Sequence, residues 1–87
     1  MGSKRIGQVR FRAISGDHAG AALPHLHADI GSGEVIVELS PDGGIRLSQA
    51  HGAPIRGRVT MRELRIVLKT ASDAQSELME LWKASQK

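Results

Sequence analysis

The chain has 87 residues, no cysteine, one Trp, one Phe and no Tyr, and it carries twelve Lys and Arg against nine Asp and Glu, a formal net charge of +3. This composition excludes a disulfide framework and a thiolate metal site, and the length allows one small core that buries about 60% of the unfolded chain's surface. No apolar run approaches the ~20 residues of a membrane span and no signal stretch follows the basic N-terminus, so we expect a cytoplasmic protein without a membrane partner.

The N-terminal part of the chain predicts a tail, a strand and a loop. We expect residues 1–4 to form a disordered tail and residues 5–85 to form a single domain. Arg5–Ile14 alternates apolar and polar residues with the period of two that is typical of a half-buried strand. The Gly- and Ala-rich segment Ser15–Leu23 has no clear periodicity and predicts a loop.

Alternation returns in three further segments, around residues 25–30, 34–39 and 45–48, which predict strands two, three and four. A Ser32-Gly33 turn is expected between the first two of these strands and a Ser40–Gly44 turn between the last two. Both turns give registers in which apolar residues oppose apolar residues. The sequence therefore predicts a three-stranded meander.

This register predicts a polar row across the meander. It places His27 opposite Glu38 and Glu38 opposite Arg46, on the face that points away from the apolar residues. Ile36 is an apolar exception on that polar side.

The C-terminal part of the chain predicts an amphipathic helix from Thr60 to about Ala84. Thr60 and Glu63 have the spacing of a capping box, and one apolar face then continues without a phase shift. A break near Ser72-Asp73 is the alternative, because this segment resembles a second cap. The expected fold is α+β, a short antiparallel sheet of about four strands packed on one long C-terminal helix.

The length of this helix has a consequence for association. A helix over Thr60–Ala84 would be about 37 Å long, whereas a six-residue strand spans about 20 Å. Either the first strand covers the far end of the helix, or Leu78, Leu81 and Trp82 overhang the sheet and pack against a second copy of the chain. Homodimerisation through these three residues is therefore one expectation.

The polar face of the sheet is the main candidate binding surface. Two histidines at i and i+2 on a strand point the same way about 7 Å apart, so His25 and His27 are candidate ligands for a divalent metal, although no cofactor is required. A third ligand would come from Asp29 or Glu38, or from Asp17 or His18 in the loop. The alternative is a solvated face without a ligand. The expected binding residues are His25, His27, Asp29, Glu38, Arg46, Arg56 and Arg58.

The segment Arg56-Gly57-Arg58 lies just before the helix N-cap. Two guanidinium groups beside the amides of a helix N-terminus would suit a phosphate or a carboxylate. A flexible, solvated connector is the alternative, and His51 in the same region has no partner that the sequence identifies.

The order of these motifs resembles a small bacterial family known as domain of unknown function 4160. Leu23–Ala28 matches its His-rich motif, although one Pro is missing and Leu26 replaces an aromatic residue. Glu34–Leu39 matches its acidic strand, and Arg62–Leu68 and Leu78–Trp82 match its helix. The resemblance implies no activity, but it implies a protein partner encoded by an adjacent gene, as in toxin–antitoxin pairs.

We therefore expect a non-catalytic protein-binding module. The first alternative is a ribonuclease-like or metal-dependent toxin, with His25 and His27 at its site and His27, Glu38 and Arg46 as candidate catalytic residues. The second is a weak nucleic-acid binder that uses its basic surface.

Overall fold

Six antiparallel strands precede two helices in the part of the chain that the computed structural model describes, which is residues 2–13, 24–40, 42–48 and 52–85. The sheet has the order β1-β2-β3-β4-β5, and β6 also pairs with β4. The α+β class with an antiparallel sheet is confirmed, although the strands are more numerous than predicted and the helix is divided. The elements are β1 (Gly2–Ile6), β2 (Val9–Ala13), β3 (His25–Ile30), β4 (Gly33–Leu39), β5 (Ile45–Leu47), β6 (Ile55–Gly57), α1 (Met61–Asp73) and α2 (Gln75–Ser85).

The predicted first strand is a hairpin of two strands, β1 and β2. Gly7 adopts a φ of 60°, which a tight turn requires and which glycine adopts without steric cost, so Ile6 pairs with Val9. The prediction of a disordered tail is wrong for residues 2–4, because they form the first part of β1.

The β3–β4 hairpin turns one residue earlier than predicted, at Gly31-Ser32 instead of Ser32-Gly33. Ile30 pairs with Gly33, and Gly31 takes the positive φ of 55°. Gly33 lies within β4, where a Cβ atom would clash with Val59 and lie 2.6 Å from the Arg58 carbonyl oxygen. Because the cross-strand pairing shifts by two residues, every side chain keeps its predicted face while its partner changes.

Two short strands share the second edge of β4. β5 pairs in the predicted register, with Glu38 opposite Arg46, and β6 pairs with the other end of β4. Between them Ile36 donates its N–H to the Pro54 carbonyl and accepts from the Ser48 N–H, both at 2.8 Å. The expectation of a flexible connector over residues 56–58 is therefore wrong for residues 56 and 57, which lie in β6.

The helices pack on the apolar face of the sheet, termed here the inner face. The predicted capping box is present, because Glu63 N donates to Thr60 Oγ1 at 3.0 Å and Thr60 N donates to Glu63 Oε1 at 2.9 Å. No helix in the described ranges is both long and apolar enough to cross a membrane. The main buried cluster contains Val9, Phe11, Ala13, Leu26, Ala28, Ile30, Val35, Val37, Leu39, Val67, Ala71, Ala74 and Leu78.

The C-terminal helix is interrupted at Ala74, next to the predicted alternative break, where φ is −111° and ψ is 24°. Leu78 and Trp82 are buried and Leu81 is half-buried within the single chain. Strand β1 lies against α2, with Lys4 Nζ 2.6 Å from Glu77 Oε2. The structure therefore shows the first of the two alternatives, in which the first strand covers the far end of the helix and Leu78 and Trp82 are buried within the chain.

Candidate functional site

The face of the sheet that points away from the main buried cluster, termed here the outer face, carries a row of five charged residues. Cross-strand pairs connect Arg5 to Arg10, Arg10 to Asp29, Asp29 to Glu34 and Glu34 to Arg56. The row runs through β1, β2, β3, β4 and β6, and its signs are plus, plus, minus, minus and plus. We call it the charged row.

Arg12 binds the two carboxylates at the centre of the charged row. Its Nε donates to Asp29 Oδ2 at 2.7 Å, and its Nη2 donates to Asp29 Oδ1 at 3.0 Å and to Glu34 Oε2 at 2.5 Å. The hydrogen bond to Asp29 is the main cause that raises the pKa of Arg12, while partial burial opposes it. Bidentate binding of this kind fixes the orientation of both partners.

Glu34 contacts three of the neighbouring side chains, Arg12, His27 and Arg56. Its Oε2 atom also lies 3.0 Å from Nδ1 of His27, and its Oε1 atom lies 3.9 Å from Nη1 of Arg56. The carboxylate is only 19% exposed, so its orientation is set by these cationic and imidazole partners. We call Arg12, His27, Asp29, Glu34 and Arg56 the Glu34 cluster.

The predicted row of His27, Glu38 and Arg46 is correct for two of its three members. Arg46 Nε lies 2.9 Å from Glu38 Oε2, and the two residues pair across the strands. However, His25 rather than His27 lies opposite Glu38, and His27 lies opposite Ile36. The position of the turn at Gly31 explains this difference, because it shifts the β4 partner of every β3 residue by two positions.

The centre of the outer face is buried rather than solvated. His25, His27 and Ile36 are all buried, and the His25 ring lies 5.0 Å from the Trp82 ring, centroid to centroid. Each buried polar side-chain atom in the described residues has a hydrogen-bond partner. The prediction of a fully solvated polar face is therefore wrong at its centre.

The two predicted metal ligands, His25 and His27, lie near each other, but the described residues do not complete a metal site around them. The His25 and His27 ring centroids are 6.4 Å apart, and Nδ1 of His27 is directed at Glu34. Among the residues described, no group of three or more His, Asp and Glu side chains is placed to hold a metal ion. Asp17, His18 and His51 lie outside the described residues.

A shallow, open depression of about 470 Å³ lies over one end of the Glu34 cluster. Its walls include Arg12, Asp29, Glu34 and Arg56, together with the turn at residues 31–33. Arg58 is exposed just after β6, and its main chain packs over Gly33. The depression places ionic groups of both signs at a surface that a partner can reach.

Four residues of the outer face, Arg5, Arg10, Arg12 and Glu34, are absent from the set predicted as binding residues. The Ser32-Gly33 turn predicted from the sequence places Glu34 opposite Gly31, at the end of a strand and away from the expected polar row. The sequence pattern places Arg5 and Arg10 in one strand, whereas the structure pairs them across the β1–β2 hairpin. The out-of-phase position of Ile6 relative to Val9, with Gly7 between them, is the signal that would have revealed this hairpin.

An α+β domain with a charged sheet face is the class that the fold and site define. The family model described as Domain of unknown function (DUF4160) matches residues 9–83, from the start of β2 into α2. The chain belongs to this family. No curated protein and no solved structure shows significant similarity to it.

Proposed function

We propose that this domain is a non-catalytic protein-binding module whose outer face recognises a protein partner. The observation that carries the proposal is the charged row, which presents an ordered pattern of both signs across five strands. Five strands spaced by about 4.8 Å extend over about 19 Å. That width suits one side of a standard protein interface, which buries about 800 Å² per partner.

The rigidity of the charges supports selective recognition. Arg12 holds the central carboxylates of Asp29 and Glu34 in place. The arginines at the rim are more exposed, at 49% for Arg56 and 62% for Arg46. A surface whose charges are fixed before binding selects a partner of complementary pattern and disfavours others by like-charge contacts.

The same pattern disfavours nucleic acid as the partner. Phosphate backbones select continuous positive surfaces. Here Asp29, Glu34 and Glu38 lie between the arginines of the outer face. Absence of binding to RNA or DNA at low salt is the expected result, and binding that weakens steeply with added salt would favour the nucleic-acid alternative.

The source of the partner is suggested by the family resemblance rather than by the geometry. A partner encoded by an adjacent gene, in a toxin–antitoxin-like pair, is part of the proposal. The gene neighbourhood supplies the first protein to test.

The test uses paired charge-reversal variants of the full chain. We expect Arg46→Glu with Arg56→Glu to weaken binding of the neighbouring gene product at least tenfold in calorimetry, because both groups are exposed on the outer face. The matched control is Arg62→Glu with Arg65→Glu, which makes the same charge change on the exposed side of α1. No binding by the wild-type chain, or equal losses in the two variants, would contradict the proposal.

A ribonuclease-like activity is the second candidate, and one specific contact favours it. His27 and Glu34 form an imidazole–carboxylate pair beside the Arg12 guanidinium, which are the group types of general acid–base catalysis on phosphate esters. Against it, the His27 side chain is only 7% exposed. RNA cleavage by the wild-type chain that is lost in both His27→Asn and Glu34→Gln would establish this alternative.

The metal-dependent form of this candidate has a separate readout. Zinc is titrated into the full chain while the imidazole NMR signals are recorded. Shifts of both His25 and His27 at one equivalent would support it, and unchanged signals at millimolar zinc would exclude it.

A further inference from the structure

We propose that the outward edge of β1 receives an extended segment of a protein partner in which acidic and apolar residues alternate. This inference rests on the proposed function and names the chemistry of the partner. It is carried by the position of β1, by the pairing of Arg5 with Arg10, and by a small hollow beside Leu81.

Strand β1 is an edge strand with a regular set of outward-pointing backbone groups. It pairs with β2 on one side, and no described strand pairs with its other side. The two-residue turn after Ile6 makes Ile6 and Val9 a hydrogen-bonded pair, and bonded pairs alternate along an antiparallel ladder. Ser3 and Arg5 therefore direct their N–H and C=O groups outward.

The outer-face side chains along this edge are cationic. Arg5 and Arg10 are exposed and lie directly opposite each other, an arrangement that destabilises a sheet unless an anion compensates it. Neither arginine has an ion-pair partner in the described part of the chain. A carboxylate on an added strand would lie about 5 Å from Arg5 and supply the missing charge.

A cavity of about 190 Å³ lies on the outer face of the β1–β2 hairpin. It is lined by Gly2, Ser3, Arg10 and Arg12. A second carboxylate, two residues along the added strand and therefore on the same face, would reach these arginines. The outer face of the edge thus selects acidic side chains at alternate positions.

The inner-face side of the edge selects apolar side chains instead. Lys4 points to this side, but Glu77 neutralises it at 2.6 Å, so it offers no uncompensated charge. A hollow of about 80 Å³ lies nearby between Gly2 and Leu81, with Ala84 and Ser85 completing its walls. A small aliphatic side chain on the added strand would fill it and cover Leu81.

A second copy of the chain is a poorer occupant of this edge. Antiparallel pairing of two β1 strands would bring Lys4, Arg5 and Arg10 of each copy towards the same groups of the other. Like charges across neighbouring strands oppose such pairing. Charge complementarity therefore favours an acidic segment of a different protein.

The first test uses two synthetic seven-residue peptides, one that alternates Glu and Val and one that alternates Lys and Val. Binding to the full chain is followed by fluorescence anisotropy at low salt. We expect only the Glu peptide to bind, and hydrogen exchange should slow at the Ser3 and Arg5 amides while the Lys4 amide, which already bonds to β2, changes little. Equal binding of both peptides, or protection elsewhere in the chain, would overturn the proposal.

Two variants separate the backbone and charge contributions. Ser3→Pro deletes one outward N–H and keeps every charge, and proline is tolerated on an edge strand. We expect at least tenfold weaker peptide binding in Ser3→Pro and no change in Ser3→Ala. Arg5→Glu with Arg10→Glu should lose at least tenfold, whereas Arg62→Glu with Arg65→Glu should not.

The outcomes also separate this proposal from the proposed function. A partner that loses binding to the Arg46→Glu, Arg56→Glu variant but binds Ser3→Pro normally would leave the outer-face module intact and overturn the edge proposal. Concentration-dependent dimerisation of the wild-type chain that Ser3→Pro abolishes would overturn it in favour of a second copy. The opposite result is that the Glu peptide binds at β1 while the protein partner binds the Arg46→Glu, Arg56→Glu variant as tightly as the wild type. That result would overturn the proposed function.

Discussion

Asp29 and Glu34 lie directly opposite each other on neighbouring strands, and the guanidinium of Arg12 binds both carboxylates. Two negative groups in cross-strand register repel each other. Arg12 offsets this repulsion by binding both carboxylates. The positions of the charges on the outer face and the stability of the sheet therefore depend on the same side chain.

Replacement of Arg12 by Leu is expected to destabilise the protein by about 2 kcal/mol, because hydrogen bonds to charged groups contribute about 1.5–3 kcal/mol. The replacement removes the guanidinium that binds both carboxylates, so the repulsion between Asp29 and Glu34 is no longer offset by Arg12. Urea unfolding at neutral pH measures the change. In a background of Asp29→Asn and Glu34→Gln the same replacement should cost clearly less, and an equal cost in both backgrounds would contradict the bridging role.

Replacement of Gly33 by Ala is expected to destabilise the protein by about 3 kcal/mol, at the upper end of ordinary overpacking costs. The new methyl group would clash with Val59 and with the main chain of Arg58, which cannot rotate away. Gly7→Ala is the control, since no atom lies within 4 Å of its added Cβ and only its positive φ of 60° adds a cost of about 1 kcal/mol. Thermal unfolding of both variants measures the difference, and a larger loss in Gly7→Ala would contradict the packing of residues 58–59 on β4.

Replacement of Trp82 by Ala is expected to cost about 3–5 kcal/mol, as is typical of large aromatic residues in cores. The Trp82 ring is buried and lies against the buried ring of His25. Urea unfolding followed by far-UV circular dichroism gives the free energy. Met61→Ala, at a residue that is 65% exposed, should change it by less than about 0.5 kcal/mol. A small effect at Trp82 would show that the end of α2 does not pack on the sheet.

The acid dependence of stability should include a contribution from Asp42. Hydrogen bonding with the Ser40 side chain, and with the Gly44 N–H at 3.0 Å, lowers the pKa of the Asp42 carboxyl from 3.8. A lowered pKa in the folded state means that the contribution is complete above the unfolded value and is lost as the pH falls through the folded value. The stability difference between wild type and Asp42→Asn should therefore be constant above about pH 5 and shrink below about pH 4. Urea titrations at several pH values measure it, and a difference that is unchanged down to pH 2 would contradict this role.

Local signals predicted the parts of the fold that depend on neighbouring residues. The Thr60–Glu63 capping box and the Glu38–Arg46 register follow from short sequence spacings, and both are present. The β3–β4 turn was different, because glycines at 31 and 33 permit two turns that keep the same faces. The choice between them is made by Val59 and Arg58, which pack on Gly33 from another part of the chain.

The composition of the candidate site was predicted only in part for a similar reason. Face assignments by alternation correctly placed Asp29, His27 and Glu38 together on one side of the sheet. Their partners depended on the register, so Glu34 and Arg12 were missed. The burial of His25 depends on Trp82 of α2, and no local pattern around residue 25 contains that information.

Strands β5 and β6 each pair with part of the same edge of β4. This arrangement limits the size of any assembly that forms by adding strands to the sheet. Each of these strands has three residues, and Ile36 bonds to the segments beside both. Open-ended stacking of subunits needs two long, complementary sheet edges on every copy, and the described ranges of this chain provide one. Complexes built by strand addition should therefore terminate after a single event, at a stoichiometry of one to one, without forming fibres.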